Sequence, residues 1–511
     1  MIFYNGVIYT MDSKIKVEAM KIIDEKIVRT GTSKQILGLR EEKEECVDLG
    51  GKTVIPGLND SHIHLFGFGS MLDTVNLKNT ESVEEIIVKV KNYIRFNNVS
   101  EGVWIKGRGW NQDYFKGERV YPVKEDLDKI SRVHPIILTR TCGHMAAVNS
   151  KALEICGFTD NKKLISGGEY DIATGIFKEK AISLITDNIP KPTINDIKKR
   201  LIQAMSYANS QGITSVQSDD LSHAGDYKVM LRAYKELKDE GLLTCRVYQQ
   251  CLLNQNELRE FLNCGYKTGL GDTYYKIGPL KILSDGSLGA RTAALRKPYH
   301  DDSATKGVMC YSDEALGELI DFAHTNGMQI AVHCIGDKAM ETVLESYERT
   351  LKKIKCENHR HGIIHCQITD TALLDKMCSL DILAYIQPIF LHYDLHIVES
   401  RVGKELAYTS YAFKSMTNKG IHISLGTDCP VEACDTMPNV YSAVTRKDLN
   451  GYPDKGWNSH ESLSAYESVY DYTMGGAYSS FEENIKGSIS AGKLADFVIL
   501  SDDIFAVDSE S

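Results

Sequence analysis

Residues 56–64 read Pro-Gly-Leu-Asn-Asp-Ser-His-Ile-His and end the first long apolar run of the chain. Side chains two residues apart in a β-strand point to the same face, so His62 and His64 are expected to project together. Two imidazoles at that spacing suit a divalent metal ion. Taken alone the pattern is weak, because two polar residues alternating on an exposed strand give the same spacing.

Short apolar runs alternate with longer amphipathic stretches through most of the chain, which is typical of parallel β–α units. Eight runs qualify as barrel strands: Val54–His64, Ile213–Ser218, Cys245–Leu252, Pro279–Ser284, Gln329–Ile335, Gly362–Gln367, Ile382–Pro388 and Ile421–Asp428. Helix-like stretches such as Ile197–Asn209 and Ser312–Asn326 lie between most of them. The pattern predicts an α/β protein with a (β/α)8 TIM barrel, whose active site lies at the carboxyl ends of the strands.

The two chain ends and a long gap after the first strand do not follow this alternation. Residues 2–10 contain Asn5-Gly6 between apolar runs, which predicts a β-hairpin, and a short apolar strand lies at 495–500. Because chain termini often lie close together, both ends are expected to form one small β-sandwich. The predicted domains are a composite sandwich of residues 1–53 and 485–511, a barrel of residues 54–69 and 197–484, and an inserted α+β subdomain of residues 70–196.

Later apolar runs each deliver one residue of a type that binds metal ions. Strands five and six end at His333 and His365, strand eight ends at Asp428, and strand four carries Lys281 within an apolar run. Singly, each histidine is more often a buried structural residue, and an Asp in such a place often caps a helix. The whole set at the ends of barrel strands favours a metal-dependent active site.

Composition and charge exclude several other classes of protein. The chain has 511 residues, of which 42% are hydrophobic, so a mainly disordered chain is excluded. Its net charge of −10 argues against nucleic-acid binding, which needs a basic face. We expect neither a signal peptide nor a membrane span, because the sequence lacks the apolar runs that they need. The 13 cysteines contain no C-x-x-C pair, which favours reduced thiols and a cytoplasmic protein.

The motif PG-x-x-D-x-H-x-H, followed by Lys, His, His and Asp at strand ends, resembles the amidohydrolase superfamily. Three further stretches resemble its N-substituted formamide deformylase-like (YtcJ-like) branch: DGSLGARTAA at 285–294, AVHCIGD at 331–337 and GSISAGKLAD at 487–496. The resemblance covers essentially the whole chain and includes Gly109-Trp110 and Gly143-His144 of the insertion. These motifs are specific for the superfamily and the branch, and they do not specify a substrate.

The resemblance implies a role for each residue of the set. His62 and His64 would bind the more buried metal ion, and His333 and His365 a second one. Asp428 would be a metal ligand and the catalytic base, and Lys281 would be carboxylated and bridge the two ions. A plain lysine beside a single metal ion is the alternative. Zinc is the expected metal, in one or two ions per chain, although Mn, Fe or Co would also suit such ligands.

The implied activity is hydrolysis of a C–N bond in a small-molecule amide or N-substituted formamide by metal-activated hydroxide. A deaminase or an ester hydrolase would use the same machinery, and a metal-binding regulatory protein without turnover and a structural barrel without metal are further alternatives. His144, Arg291, Trp110 and Gln387 are candidate substrate contacts. Arg291 could instead pair with a local carboxylate, and Trp110 could belong to the core of the insertion. A homodimer is the base-rate expectation for the assembly.

Overall fold

The computed structural model describes residues 1–12, 15–158 and 167–508. Contacts divide the chain into two compact units, one of Met1–Phe68 with Ile197–Ser511 and the other of Gly69–Asp196. Among the described residues, no helix is both long enough and apolar enough to cross a membrane.

An eight-stranded parallel sheet forms the centre of the larger unit. Its strands follow one another around the sheet in chain order: Leu58–Ile63, Ile213–Ser218, Arg246–Leu252, Tyr275–Leu283, Ile330–Cys334, Gly362–His365, Leu383–Ile386 and Ile423–Leu425. The ring closes where the peptide N–H of Asp428 donates to the carbonyl of His62 and that of His64 donates to Cys429, both at 2.8 Å. The predicted (β/α)8 barrel is confirmed.

Helices lie between the barrel strands and cover the sheet with one apolar face. In Asp337–Lys353, for example, Met340, Val343, Leu344 and Tyr347 are buried at the 3–4-residue spacing of one helix face. The larger unit contains the α-helices Ser33–Leu37, Ile194–Ser210, Tyr227–Asp239, Gln255–Asn263, Asp313–Thr325, Asp337–Lys353, Thr371–Ser379, Leu391–Asp394, Val398–Val402, Lys404–Tyr408, Phe413–Asn418, Thr436–Thr445, Ala465–Tyr470 and Gly476–Ser479. A π-helical turn spans Asp471–Gly475.

Two four-stranded sheets from the chain ends enclose an apolar cluster of Ile8, Met20, Ile27, Leu49, Val54 and Ile489. One sheet has the strand order Lys26–Gly31, Ala19–Ile23, Ile2–Tyr4 and Cys46–Asp48. The other has the order Phe497–Leu500, Thr53–Pro56, Val7–Tyr9 and Lys16–Val17. These sheets lie in the same compact unit as the barrel. Arg246, at the start of the third barrel strand, pairs with Asp496 just before the last strand (Nε–Oδ2 2.6 Å), which joins the two parts.

The hairpin predicted at Asn5-Gly6 is wrong, because the strands on either side belong to different sheets. Asn5 adopts a left-handed backbone with φ of 59°. A Cβ atom on Gly6 would lie 2.5 Å from Cδ1 of Leu49, so this position has no room for a side chain. The dipeptide therefore carries the chain from one sheet of the sandwich to the other.

The first barrel strand is also shorter than the predicted run Val54–His64. Thr53–Pro56 pairs with Phe497–Leu500 in the sandwich, and the barrel strand begins only at Leu58. Gly57 lies at the change of sheet, where a Cβ atom would lie 2.1 Å from Oγ1 of Thr214. The absence of a side chain there lets one continuous apolar run serve two sheets.

The smaller unit contains a six-stranded mixed sheet. Its strand order is Gly168–Asp171, Ile176–Glu179, Met145–Val148, Ile136–Arg140, Ile105–Trp110 and Val75–Asn76. The α-helices from Leu65 to Thr186 are Leu65–Leu72, Val83–Phe96, Lys124–Ile130, Ser150–Ile155 and Ser183–Thr186. The unit has apolar cores of its own, one of which includes Ile86, Ile105, Trp110 and Leu138.

Candidate metal centre at the carboxyl ends of the barrel strands

Four buried side chains meet where the barrel strands end. One ligand atom from each of His62, His365 and Asp428 lies within 4.8 Å of the others. Lys281 joins them, with its Nζ 3.1 Å from Nε2 of His62. None of the four is more than 4% exposed. The structure therefore brings together residues from the first, fourth, sixth and eighth strands, as the sequence predicts.

His64 lies beside this group and belongs to a second one. Its Nε2 is 2.9 Å from Oδ1 of Asp428, and its Nδ1 makes a short hydrogen bond to Asp219. Ligand atoms of His64, Asp219 and His223 lie within 4.8 Å of one another. His223 is exposed and hydrogen-bonds through Nδ1 to the carbonyl of Asp219 at 3.1 Å. His64 thus contacts Asp428 on one side and, on the other, Asp219, which the sequence analysis does not identify as a site residue.

His333 is placed next to the group through His365. The centroids of the two rings are 4.5 Å apart and the ring planes are nearly perpendicular. His333 hydrogen-bonds through Nδ1 to Asp285 at 3.0 Å, and His365 does so to Gln387 at 2.8 Å. Gln387 was predicted to contact substrate, and in the structure its side chain is buried against a candidate metal ligand.

Burial controls the charge of most of these groups. Burial lowers the pKa of His62 and of His365 well below the usual value, and neighbouring cations add to the effect, so both rings are neutral and can offer a lone pair. Burial also lowers the pKa of Lys281 to about 8, although Asp219 and Asp428 oppose the shift. A lysine with that pKa is far more often neutral than a surface lysine.

His64 behaves in the opposite way. Burial disfavours its charged form, but the carboxylates of Asp219 and Asp428 outweigh burial and raise its pKa to about 10. Without a metal ion, His64 is therefore an imidazolium between two carboxylates. A bound cation next to Asp428 would replace the proton on the nitrogen that faces it.

Asp60, the acidic residue of the D-x-H-x-H motif, joins the first and eighth strands. Its carboxylate accepts from the peptide N–H groups of His62 (3.2 Å) and Thr427 (3.0 Å) and from the Thr427 hydroxyl. Burial raises its pKa to about 7 despite these bonds. Close approach of the two strands also needs Gly426, where a Cβ atom would lie 2.6 Å from the nitrogen of His62. Asp60 thus holds the backbone that carries His62 and Asp428.

The remaining predicted substrate contacts have other partners. Trp110 is fully buried in the core of the insertion, and its indole N–H donates to the carbonyl of Leu138 at 2.9 Å. Arg291 forms a two-point pair with Asp301 at 3.1 and 3.0 Å. These are the packing and local-pairing alternatives that the sequence left open.

His144 lies on the smaller unit, where its ring is exposed and pairs with Glu179 at 3.0 Å. Together with Arg140 and Cys142 it lines an open cavity of about 840 Å³ within that unit. This cavity has room for a small molecule.

Sequence reasoning missed Asp219, His223, Gln250 and Asp285. Gln250 accepts from Nδ1 of His62 at 2.8 Å, from the third barrel strand. Asp219 directly follows the second strand, and Asp285 follows the fourth by one residue. The rule that found His333 and Asp428, a polar residue at the carboxyl end of an apolar strand, would have found both aspartates.

The donor set fits a divalent cation. It combines imidazole nitrogens with a carboxylate in a buried site, a combination that Zn, Mn, Fe and Co accept. The neutral state of His62 and His365 provides the lone pairs that such an ion needs.

Comparisons with known proteins agree with this chemistry. A family model described as the amidohydrolase family matches residues 45–511. The chain is similar to "Putative amidohydrolase YtcJ" of Bacillus subtilis (strain 168), with 34% identity over 521 residues, 99% of this chain and 95% of that protein. It is similar to the N-substituted formamide deformylase of Arthrobacter pascens, with 24% identity over 98% of this chain and 93% of that protein. An uncharacterized metal-dependent hydrolase from Pyrococcus furiosus has a similar structure, with a TM-score of 0.82, 30% identity and 99% coverage of both chains.

Proposed function

This chain belongs to the amidohydrolase family, and on that premise we propose that it hydrolyses a C–N bond of a small-molecule amide or N-substituted formamide. The observation that carries the proposal is the buried group of His62, His365 and Asp428 beside Lys281. The similarity to an N-substituted formamide deformylase supports the choice of bond.

Six residues would hold the metal ions: His62, His64, Lys281, His333, His365 and Asp428. A bound divalent ion would lower the pKa of a water molecule and polarise the carbonyl that it attacks. Zinc is the ion that we propose, because imidazole and carboxylate ligands suit it.

Asp428 would move the proton. One of its oxygens faces both Nε2 of His64 (2.9 Å) and Nε2 of His62 (3.4 Å), so the carboxylate points into the group. Its backbone has φ of 59°, held by the hydrogen bond from its N–H to the carbonyl of His62. From this position Asp428 would accept the proton of the attacking water and deliver it to the leaving nitrogen.

Lys281 would carry a carboxyl group from CO2. An ammonium ion next to His62 would repel a metal ion, whereas a carbamate would supply two anionic oxygens. In the described part of the chain Lys281 forms no ion pair, unlike Lys276 on the same strand, which pairs with Glu482 at 2.7 Å. Burial without an ion-pair partner favours the neutral amine, which is the form that reacts with CO2.

Elemental mass spectrometry on protein purified without chelators tests the metal site. We expect about two zinc equivalents per chain, and fewer in Lys281→Ala. Lys276→Ala is the matched control on the same strand and is expected to keep the metal. No metal after incubation with zinc and bicarbonate would contradict the proposal.

The bond is tested separately by mass spectrometry of products from a panel of N-formyl and N-acyl amines. We expect a free amine together with formate or another carboxylate. Release of ammonia from cyclic amidines, with no cleavage of amides, would instead indicate a deaminase.

A further inference from the structure

Each of the four site histidines hydrogen-bonds through Nδ1 to an oxygen from another strand or strand end. The pairs are His62 with Gln250 (2.8 Å), His333 with Asp285 (3.0 Å), His365 with Gln387 (2.8 Å) and His64 with Asp219. The four acceptors come from four different segments of the barrel, so the pattern is not a repeat of one local motif.

The orientation of each acceptor is itself fixed. A carboxylate can only accept, so Asp219 and Asp285 place a proton on Nδ1 of their histidines. A glutamine side chain could turn its amide the other way, but both glutamines are held. The Nε2 of Gln250 donates to the carbonyl of Ser61 at 3.0 Å, and that of Gln387 donates to Tyr385 at 3.2 Å. Their oxygens therefore face the rings.

We propose that Gln250 and Gln387, together with Asp219 and Asp285, are the positioning residues of this centre. They keep a proton on Nδ1 of each imidazole. In His62 and His365 this aims the Nε2 lone pair at the metal position before any ion binds, and in His64 it leaves the Nε2 proton as the one that an ion would replace. The inference rests on the proposed metal-dependent function, and it adds the residues that prepare the site for the metal.

Gln250 gives the sharpest case, because His62 is buried. Its Nε2 faces both the amine of Lys281 at 3.1 Å and a carboxylate oxygen of Asp428 at 3.4 Å. If the acceptor at Nδ1 is removed, a proton on Nε2 that points to Asp428 becomes the better-satisfied arrangement. His62 would then present an N–H instead of a lone pair to the metal.

The matched control is on the neighbouring residue. Gln249 is a buried glutamine of the same strand, and its Nε2 donates to the carbonyls of Ser218 (2.7 Å) and Gln250 (3.0 Å). Its oxygen accepts from the hydroxyl of Tyr275 at 3.2 Å, not from a histidine. Gln249→Leu therefore removes an equally buried amide without removing an acceptor from the site.

The test reads the tautomer directly, by ¹⁵N NMR of histidine-labelled full-length protein freed of metal, with His62 assigned from His62→Gln. We expect the proton of His62 on Nδ1 in the native protein and in Gln249→Leu, and on Nε2 in Gln250→Leu. Gln250→Glu keeps an acceptor and should restore Nδ1. Gln387→Leu should shift the proton of His365 in the same way, and circular dichroism checks that each variant folds.

Zinc titration of the same variants gives the second readout. Gln250→Leu should raise the zinc dissociation constant about 10–100-fold, which is typical for loss of such a partner, and Gln249→Leu should not. An unchanged tautomer in Gln250→Leu, or an equal effect of Gln249→Leu, would overturn the inference. If the native protein binds no zinc but Gln250→Leu still moves the proton of His62 to Nε2, the proposed function would be contradicted and the positioning role supported.

Discussion

The two ends of the barrel both bury histidines but leave their nitrogens in different states. At the amino end His324, His361 and His359 form a chain with every ring nitrogen bonded. Nδ1 of His324 lies 2.9 Å from Nε2 of His361, and its Nε2 lies 3.0 Å from the carbonyl of Ile354. Nδ1 of His361 accepts from the peptide of Ile330, and the two nitrogens of His359 bond the backbone of His361 and Leu380.

At the carboxyl end each ring has its Nδ1 bonded to a side-chain oxygen. The Nε2 atoms of His62 and His64 face Lys281 and Asp428 across a shared centre. The residue type is the same at the two ends, and His62 and His365 are as buried as His361 and His359. At the amino end the ring nitrogens bond one another and the backbone, whereas Nε2 of His62 and of His64 faces the side chains of the candidate metal centre.

Buried charges show the same contrast. At the amino end Glu482 lies between Lys276 at 2.7 Å and Lys486 at 2.6 Å, so its charge is balanced within the protein. At the carboxyl end His64 is paired with Asp219 and Asp428, but Lys281 has no ion pair among the described residues. The buried charges at the amino end are thus paired within the protein, whereas the buried amine at the carboxyl end has no such partner among the described residues.

The largest effect that we expect is on catalysis, from Asp428→Asn. An amide cannot take the proton of the attacking water, so kcat/KM should fall about 10²–10⁴-fold. Steady-state kinetics on a cleaved amide measures this, with circular dichroism to verify folding. Asp394→Asn, which removes a partly buried carboxylate bonded to Tyr411 at 2.6 Å, is the control and should keep kcat/KM. An equal loss of kcat/KM in the two variants would show that Asp428 has no catalytic role of its own.

The second effect is on stability, from Glu482→Gln at the amino end. Removing the carboxylate leaves the buried Lys486 and the partly buried Lys276 without a counter-charge, which costs about 3–5 kcal/mol of unfolding free energy. Denaturant unfolding measures the loss, and zinc content should not change. A variant as stable as the native protein would show that the amino end does not depend on this balance.

The same variant has a pH signature. Burial would raise the pKa of Glu482, but Lys486 and Lys276 outweigh burial and lower it to about 2. A carboxyl group with a lowered folded pKa stabilises the protein above its unfolded pKa, near 4.3, and loses that contribution as the pH falls toward 2. The difference in stability between native protein and Glu482→Gln should therefore shrink between pH 6 and pH 3.

A smaller effect is expected from acid on the histidine chain. Burial lowers the pKa of His359 and holds that of His361 well below the usual value. Unfolding therefore takes up protons, and stability should decrease as the pH falls below about 6.5, by roughly 1.4 kcal/mol for each unit of pKa shift. His361→Phe, measured by denaturant unfolding at pH 7.5, 6.5 and 5.5, should weaken this dependence. If the stability of His361→Phe depends on pH as steeply as that of the native protein, other groups cause the dependence.

The smallest effect is expected from His144→Gln in the insertion. This histidine is exposed, so the change should leave the midpoint of thermal unfolding and the zinc content unaltered. As a substrate contact it should raise KM several-fold with little change in kcat, because it contributes binding rather than chemistry. Lys151→Gln, on the same unit and outside the cavity, is the control. An unchanged KM would show that His144 does not contact the substrate.

The sequence predicts the barrel and the grouping of the candidate ligands because both follow from short-range patterns. His333, His365 and Asp428 each end an apolar strand, and the ends of parallel strands meet at one rim. The same local logic fails at Asn5-Gly6, because a hairpin and a change of sheet place the same turn residues between the same apolar runs. The structure shows a change of sheet at this dipeptide, with Gly6 packed against Leu49.

The acceptors of the histidines could not be identified with the same ease. Gln250 lies inside an apolar strand, next to the equally polar Gln249, and only the direction in which each side chain points separates their roles. Trp110 shows the opposite problem, since a tryptophan in a motif that resembles the family serves equally well as a stacking surface or as part of the core. The hydrogen bond from its indole to Leu138 joins residues far apart in the sequence, so the spacing of residues could not predict it.

The pairing of Thr53–Pro56 with Phe497–Leu500 has a consequence for synthesis. His64 leaves the ribosome 364 residues ahead of Asp428, its partner across the centre. The strand that continues into the first barrel strand also waits for residues 497–500 before its sheet is complete. A metal ion held by the proposed centre would therefore bind only after Asp428 has been synthesised, and it could not guide the folding of the residues that precede Asp428.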